Sequence, residues 1–183
     1  MVEQSGDEWG HVVRNGVSGS SGTSDGHLLP KTGHSLRDDI MFFGEFEHTV
    51  DSKGRVTIPA DFREMLVDGM HVTRGLDGCL FVLTPEGFEA LRQDLNSLSI
   101  ARQSARHLSR LFFSGPPCTL DKQGRILLPA PLRQYAGIEN EVVIVGVDSR
   151  LEIWNKGKWQ AVSNKLATDS AAFAEELAEL GLL

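Results

Sequence analysis

Two kinds of apolar spacing alternate along residues 41–180. Short β-rich runs, Arg55-Val56-Thr57-Ile58 and Arg125-Ile126-Leu127-Leu128, each end at a proline, Pro59 and Pro129. Proline stops a strand and suits the first turn of a helix. Phe62, Met65 and Leu66 then share one helical face, and Leu132, Tyr135 and Ala136 repeat it, with Gly137 placed as a C-terminal stop. Further strands are expected over 70–74 with 80–83, and over 141–145 with 151–154. Between these halves the period becomes helical. Thr84 before Pro85 makes an N-cap and first-turn pair, and Phe88, Leu91, Leu95 and Leu98 fall on one stripe. A second helix over 100–113 has Leu108, Leu111 and Phe112 on its apolar side and Arg102, Arg106 and Arg110 at i, i+4, i+8. A last amphipathic helix is expected over 170–180, with Phe173, Leu177 and Leu180 aligned.

The halves are copies of one unit. Residues 49–63 align without gaps to 119–133 at an offset of 70, and seven of the fifteen positions are identical, including Asp51/Asp121, Gly54/Gly124, Arg55/Arg125 and Arg63/Arg133. After one inserted residue, Gly75, Asp77, Leu80 and Ala90 match Gly146, Asp148, Leu151 and Ala161. Aspartate at turn position i with glycine at i+3 marks Asp51–Gly54 and Asp121–Gly124 as hairpin turns. Each unit therefore reads β-β-α-β-β. About 45 residues is small for an independent core. Two copies paired about a pseudo-two-fold axis would share a sheet or barrel. The expected fold is α+β, mostly β, with a helical linker and a C-terminal helix. The domains divide as 1–40, 41–91, 92–110, 111–162 and 163–183.

Residues 1–40 hold 7 glycines and 6 serines. Such a stretch buries too little apolar surface to offset its ordering entropy. It is expected to be a disordered leader, with Trp9 and Val12-Val13 the only docking candidates. Met41 opens a different composition and is a candidate biological start.

Charge changes the picture less by its total, −7, than by its placement: −3 over 1–40, −5 over 41–91, +5 over 92–138 and −4 over 139–183. Any nucleic-acid role must use local basic patches. Cys79 and Cys118 lie far apart with no CxxC spacing, which argues against a zinc site or disulfide framework and for a reducing compartment. No apolar run reaches the ~18 residues of a membrane span. No nucleophile elbow, phosphate loop, HExxH or dinucleotide turn is present. Ser104 and His107 share a helix face without an orienting acid, and His48 and His71 show no ligand spacing. The expectation is no enzyme, no metal, no cofactor and no small-molecule substrate.

A doubled D-x-x-G-R-x-x-x-P element, each copy followed by a short helix, with a Met-Phe-x-Gly opening at Met41, resembles the MraZ family within the AbrB-like DNA-binding fold group. The resemblance covers 41–183, nearly four fifths of the chain. It implies a cradle-like barrel assembled into homo-oligomeric rings. It also implies a cytoplasmic, nucleoid-associated regulator, a repressor of its own cell-division and cell-wall gene cluster, that binds double-stranded DNA; successive modules of a ring present one polarity to DNA along the rim, so the operator is expected to contain direct repeats. The motif arginine is then the DNA contact, which maps to Arg55 with Lys53 beside it, and in the second copy to Arg125 with Lys122. Asp51, Gly54, Asp121 and Gly124 shape the loops. Read from the residues alone, two roles stay open. Arginine can fork onto guanine or phosphate, or Asp51 and Arg55 can simply brace the turn. Arg63 and Arg133 read as solvated or salt-bridged. The Arg102/Arg106/Arg110 stripe could meet phosphate, solvent or the acidic 139–183 segment of a neighbouring subunit. The alternative to a DNA-binding regulator is an oligomeric protein-interaction scaffold.

Overall fold

The computed structural model describes residues 41–181; the leader 1–40, with its Trp9 and Val12-Val13 candidates, lies outside the described residues. The first repeat runs β1 (Phe42–Thr49), β2 (Arg55–Thr57), α1 (Ala60–Arg63, continued by a 3-10 turn at Glu64–Leu66), β3 (Met70–Arg74) and β4 (Leu80–Leu83). Helices α2 (Pro85–Ser97) and α3 (Gln103–Phe112) follow. The second repeat is β5 (Pro117–Cys118), β6 (Arg125–Leu127), α4 (Ala130–Ala136), β7 (Glu141–Asp148) and β8 (Arg150–Asn155), then α5 (Lys156–Thr168) and α6 (Ser170–Glu179).

The strand order shows the internal two-fold. Six antiparallel strands run β1-β7-β8-β4-β3-β5, and β2 pairs with β6 in a separate ribbon. Exchanging the repeats (β1 with β5, β3 with β7, β4 with β8) reverses the order and leaves it unchanged. The register agrees. Phe81 faces Glu152 at the β4–β8 seam, and Val56 faces Ile126 at the centre of the ribbon. Each repeat gives its first strand to the other, because β1 pairs with β7 and β5 pairs with β3. The exchange is unequal. β1 has eight residues and β5 two, and β5 begins in Gly115-Pro116-Pro117, where the prolines have no N–H for a ladder.

Strands β4, β7 and β8 are buried on both faces, which their unbroken apolar stretches require. On one face Val72, Val82, Val142, Ile144, Leu151 and Ile153 pack with Val56, Ile58, Ile126 and Leu128 of the ribbon, with Phe62 and Leu132 of the short helices alongside. On the other, Phe81, Leu83, Val143, Val145 and Trp154 meet Leu95, Phe112, Phe88 and Trp159. The ribbon is thus seated on a rigid floor. Fully burying each aliphatic side chain stabilises by roughly 1.5–3 kcal/mol.

Three differences from the sequence reading have physical causes. Helix α5 was not expected: Gly157 beside the N-cap weakens the pattern. Yet Asn155 caps α5 as Thr84 caps α2, each side chain accepting an amide three residues on. Trp159, Val162 and Leu166 repeat Phe88, Leu91 and Leu95 at an offset of 71. Helix α3 starts at Gln103 rather than 100, because Arg102 is extended and the Arg106 guanidinium donates to the carbonyls of Ile100 and Ala101 instead. The strand pairings equate Gly75 with Val147 and not Gly146, since the β3–β4 tip is one residue longer. Gly137 ends α4 in the left-handed conformation expected of it, φ 68°.

Candidate nucleic-acid interface

The same turn is built twice. In the first, Asp51 Oδ1 accepts the amides of Lys53 and Arg55, both at 2.9 Å, while Oδ2 accepts Arg55 Nε at 2.8 Å and Nη2 at 2.7 Å. In the second, Asp121 Oδ1 accepts the amides of Gln123 at 2.8 Å and Arg125 at 3.0 Å, and Oδ2 accepts Arg125 Nε at 2.9 Å and Nη2 at 2.7 Å. The Gly54 and Gly124 amides donate back to the carbonyls of Asp51 and Asp121. Both glycines have positive φ, 79° and 71°, where a side chain is strained. The arginine's side-chain hydrogen bond is the main reason each aspartate is held down to about 2, from an ordinary 3.8.

The turns form one unit across the pseudo-two-fold. Ile58 N donates to Gly124 O at 2.9 Å, and Leu128 N to Gly54 O at 2.8 Å. Arg125 Nη1 lies 3.9 Å from Asp51 Oδ2, a charge contact between repeats. Each repeat also lends an arginine to the other's turn. Arg63 donates Nε to Ile58 O at 2.8 Å while its guanidinium lies against Gly124; a Cβ there would be 2.6 Å from Arg63 Cζ. Arg133 donates Nε to Leu128 O at 3.1 Å and lies against Gly54. Among the described residues Arg63 and Arg133 form no salt bridge; each is half-buried and donates to a backbone carbonyl, a role the sequence reading does not include. Their presence among the seven identical positions was the available signal.

On the ribbon, Val56 and Ile126 are buried, so alternation turns Arg55, Thr57, Arg125 and Leu127 to the opposite face. Arg55 and Arg125 are half-buried; Lys53 and Lys122 are exposed at the two tips. The lysines are not equivalent, since Lys53 aligns with Gln123 and Lys122 with Ser52. Residues 51–63 and 121–133 together carry +3 in a chain of −7. The bracing role that the residues alone allowed is thus occupied, in both copies. It does not exhaust the guanidinium. Two N–H groups of Arg55 go to Asp51, and an arginine has five in a fixed fork. The others remain for an anion or a base edge. A side chain already fixed in place loses less rotamer freedom on contact.

Other candidates are dispersed. Ser104 and His107 are exposed on α3. His71 stacks on Phe88 with ring centroids 3.8 Å apart, and burial lowers its pKa. Burial, with Arg63 nearby, does the same to His48. Cys79 and Cys118 are free thiols, pushed up mainly by burial to about 12 and about 11. No group of three or more His, Cys, Asp or Glu among the described residues is arranged to hold a metal. No described helix is long and apolar enough to cross a membrane.

Comparison with known proteins agrees with this doubled architecture. The family model described as "MraZ protein, putative antitoxin-like" matches twice, over residues 41–111 and 112–180. Three relatives carry the name transcriptional regulator MraZ, which describes a regulator rather than an enzyme. That of Moorella thermoacetica is 46% identical over 143 residues, 78% of this chain and 100% of the relative. That of Pelotomaculum thermopropionicum is 49% identical over 143 residues, 78% and 99%. That of Lactiplantibacillus plantarum is 48% identical over 140 residues, 76% and 96%.

Proposed function

The chain belongs to the MraZ family, and from that membership together with its paired turns we infer that it is a DNA-binding regulator of transcription. The observation that carries the reading is the β2–β6 ribbon, which sets Arg55 and Arg125 on one outward face beside Lys53 and Lys122. A rigid two-stranded element of this kind suits insertion into a groove. Arg55 is the principal contact, forking its remaining donors onto a phosphate or onto guanine O6 and N7. Arg125 is its second-copy partner, and the lysines add point charges. Asp51 and Asp121 aim the arginines, and Gly54 and Gly124 permit the turns.

The finer reading is a nucleoid-associated repressor of its own cell-division and cell-wall gene cluster. Copies assemble head to tail into a ring, and successive copies present Arg55 to DNA with one polarity. The operator then contains direct repeats spaced near one helical turn, roughly 10 bp. Each copy alone binds weakly because the chain is acidic overall; several repeats engaged together raise affinity through effective concentration. Footprinting on the DNA upstream of its own gene tests this, followed by shifting two repeats half a turn apart. Protection of direct repeats with affinity lost on the shift is the expected result. An inverted repeat, or indifference to spacing, refutes the ring mechanism. Salt-insensitive capture of a protein with no DNA shift would favour the scaffold reading.

A further inference from the structure

Helix α6 is amphipathic yet has little to pack on. Its apolar stripe is Phe173, Leu177 and Leu180, and Leu180 is 68% exposed. Its neighbour α5 has no fully buried residue, although Trp159 and Val162 pack against the outer core. A free helix of ten residues is marginal in water, where stability comes from burying an apolar face. By chain position α6 is the second repeat's counterpart of α3. Helix α3, in contrast, is docked through Leu108, Leu111 and Phe112 on the outer face of the sheet. Among the described residues nothing covers Leu180, which leaves α6 open to a partner.

Charge identifies that partner. Helix α6 carries Glu175, Glu176 and Glu179 and no basic residue. Residues 98–113, covering α3 and its approach, carry Arg102, Arg106 and Arg110 and no acid. Arg106 is held by the carbonyls of Ile100 and Ala101. Among the described residues no ion pair involves Arg102 or Arg110. Apolar surface lies beside them: Ile100 is 82% exposed, and Leu98 and Phe113 are exposed too. Helix α6 makes its main contacts with α5 rather than with its own α3. Helix α5, which carries it, packs on β7 and β8, whereas α3 packs on β3. Strands β8 and β3 stand two places apart in the sheet, roughly 10 Å at 4.7–4.9 Å per place.

We propose that α6 of one copy docks on α3 of the next, Glu175, Glu176 and Glu179 facing Arg102 and Arg110, with Leu177 and Leu180 against Ile100, Leu98 and Phe113. The two surfaces differ, so the contact can repeat head to tail, the kind that closes a ring or extends a filament, as well as be exchanged between two copies across a two-fold. The proposal rests on the ring reading above and names its contact. It also accounts for like charges at i, i+4 on α3, which repel in an isolated helix.

The test is charge exchange in the full chain, read as mass by light scattering across protein concentration at low salt. E175R/E176R/E179R and R102E/R110E should each raise the half-assembly concentration by about 10-fold or more, since reversal turns attraction into repulsion. Mixing the two variants, or combining them in one chain, should restore assembly, which damage to folding could not do; circular dichroism gives the folded fraction. Added salt should weaken the wild-type assembly. Assembly unaffected by either reversal overturns this contact and leaves the ring reading standing. So does failure of the combination to restore it. A wild-type chain that stays monomeric at all concentrations overturns both. R102E/R110E that assembles normally but binds DNA less tightly overturns the contact and assigns α3 to nucleic acid.

Discussion

Replacing Arg63 with alanine should loosen the turn of the other repeat. The side chain makes two connections, the 2.8 Å donation from Nε to Ile58 O and the cover over Gly124. A hydrogen bond from a charged donor is worth about 1.5–3 kcal/mol net. Arg63 is half-buried, so water recovers part of that bond at the freed carbonyl, while the lost packing of the aliphatic stem adds to the cost. A destabilisation of about 2 kcal/mol follows, equivalent to a fall in Tm of about 4–8 °C for a chain of this size. Denaturant titration supplies the stability. Amide exchange followed by NMR supplies the location: protection should fall at Ile58, Gly124 and Arg125, with Lys53 and Gly54 much less affected. Arg133→Ala should show the reciprocal pattern, more weakly, because its bond to Leu128 O is longer at 3.1 Å. Exchange rising only within 58–66, or no loss of stability, would refute coupling between the turns.

Other consequences can be measured on the same protein. The carboxyl groups of Asp51 and Asp121 should titrate near 2 by carbon NMR. Because folding lowers these pKa values, their contribution is complete above 3.8 and is lost as pH falls through 2; in Arg55→Ala only Asp51 should move back up. Cys79 and Cys118 should react slowly with iodoacetamide at pH 8, since burial keeps both as thiols; labelling as fast as in the unfolded chain would contradict that. Thr84→Ala removes the acceptor of the Gly87 amide and should cost about 1 kcal/mol by denaturant titration.

Much of this architecture is legible in the sequence because it is written twice. The shared D-x-x-G-R-x-x-x-P element locates both turns, and glycine at the left-handed position admits few other backbones. The strand exchange between repeats is not legible, since alternation gives a strand its faces and not its neighbour. Helix α5 was hidden by Gly157, although Asn155 stands where Thr84 predicts a cap. The arginines separate two kinds of information. Residue type and turn position single out Arg55 and Arg125. That Arg63 and Arg133 reach across to the opposite glycines depends on pairing between segments 70 residues apart, which local pattern does not contain. The charge stripe on α3 is visible, but that Arg102 and Arg110 form no ion pair among the described residues required the fold.

The most direct test of the central claim is binding to DNA from upstream of its own gene, measured by anisotropy across a salt series for the wild type, Arg55→Ala and Arg125→Ala. The account predicts wild-type affinity that falls steeply with salt, as phosphate contacts release counterions. It predicts a loss of about 1–3 kcal/mol per site for Arg55→Ala, in a chain that remains folded by circular dichroism. Arg125→Ala should lose less. Unchanged affinity in a folded Arg55→Ala/Arg125→Ala double variant would contradict the account.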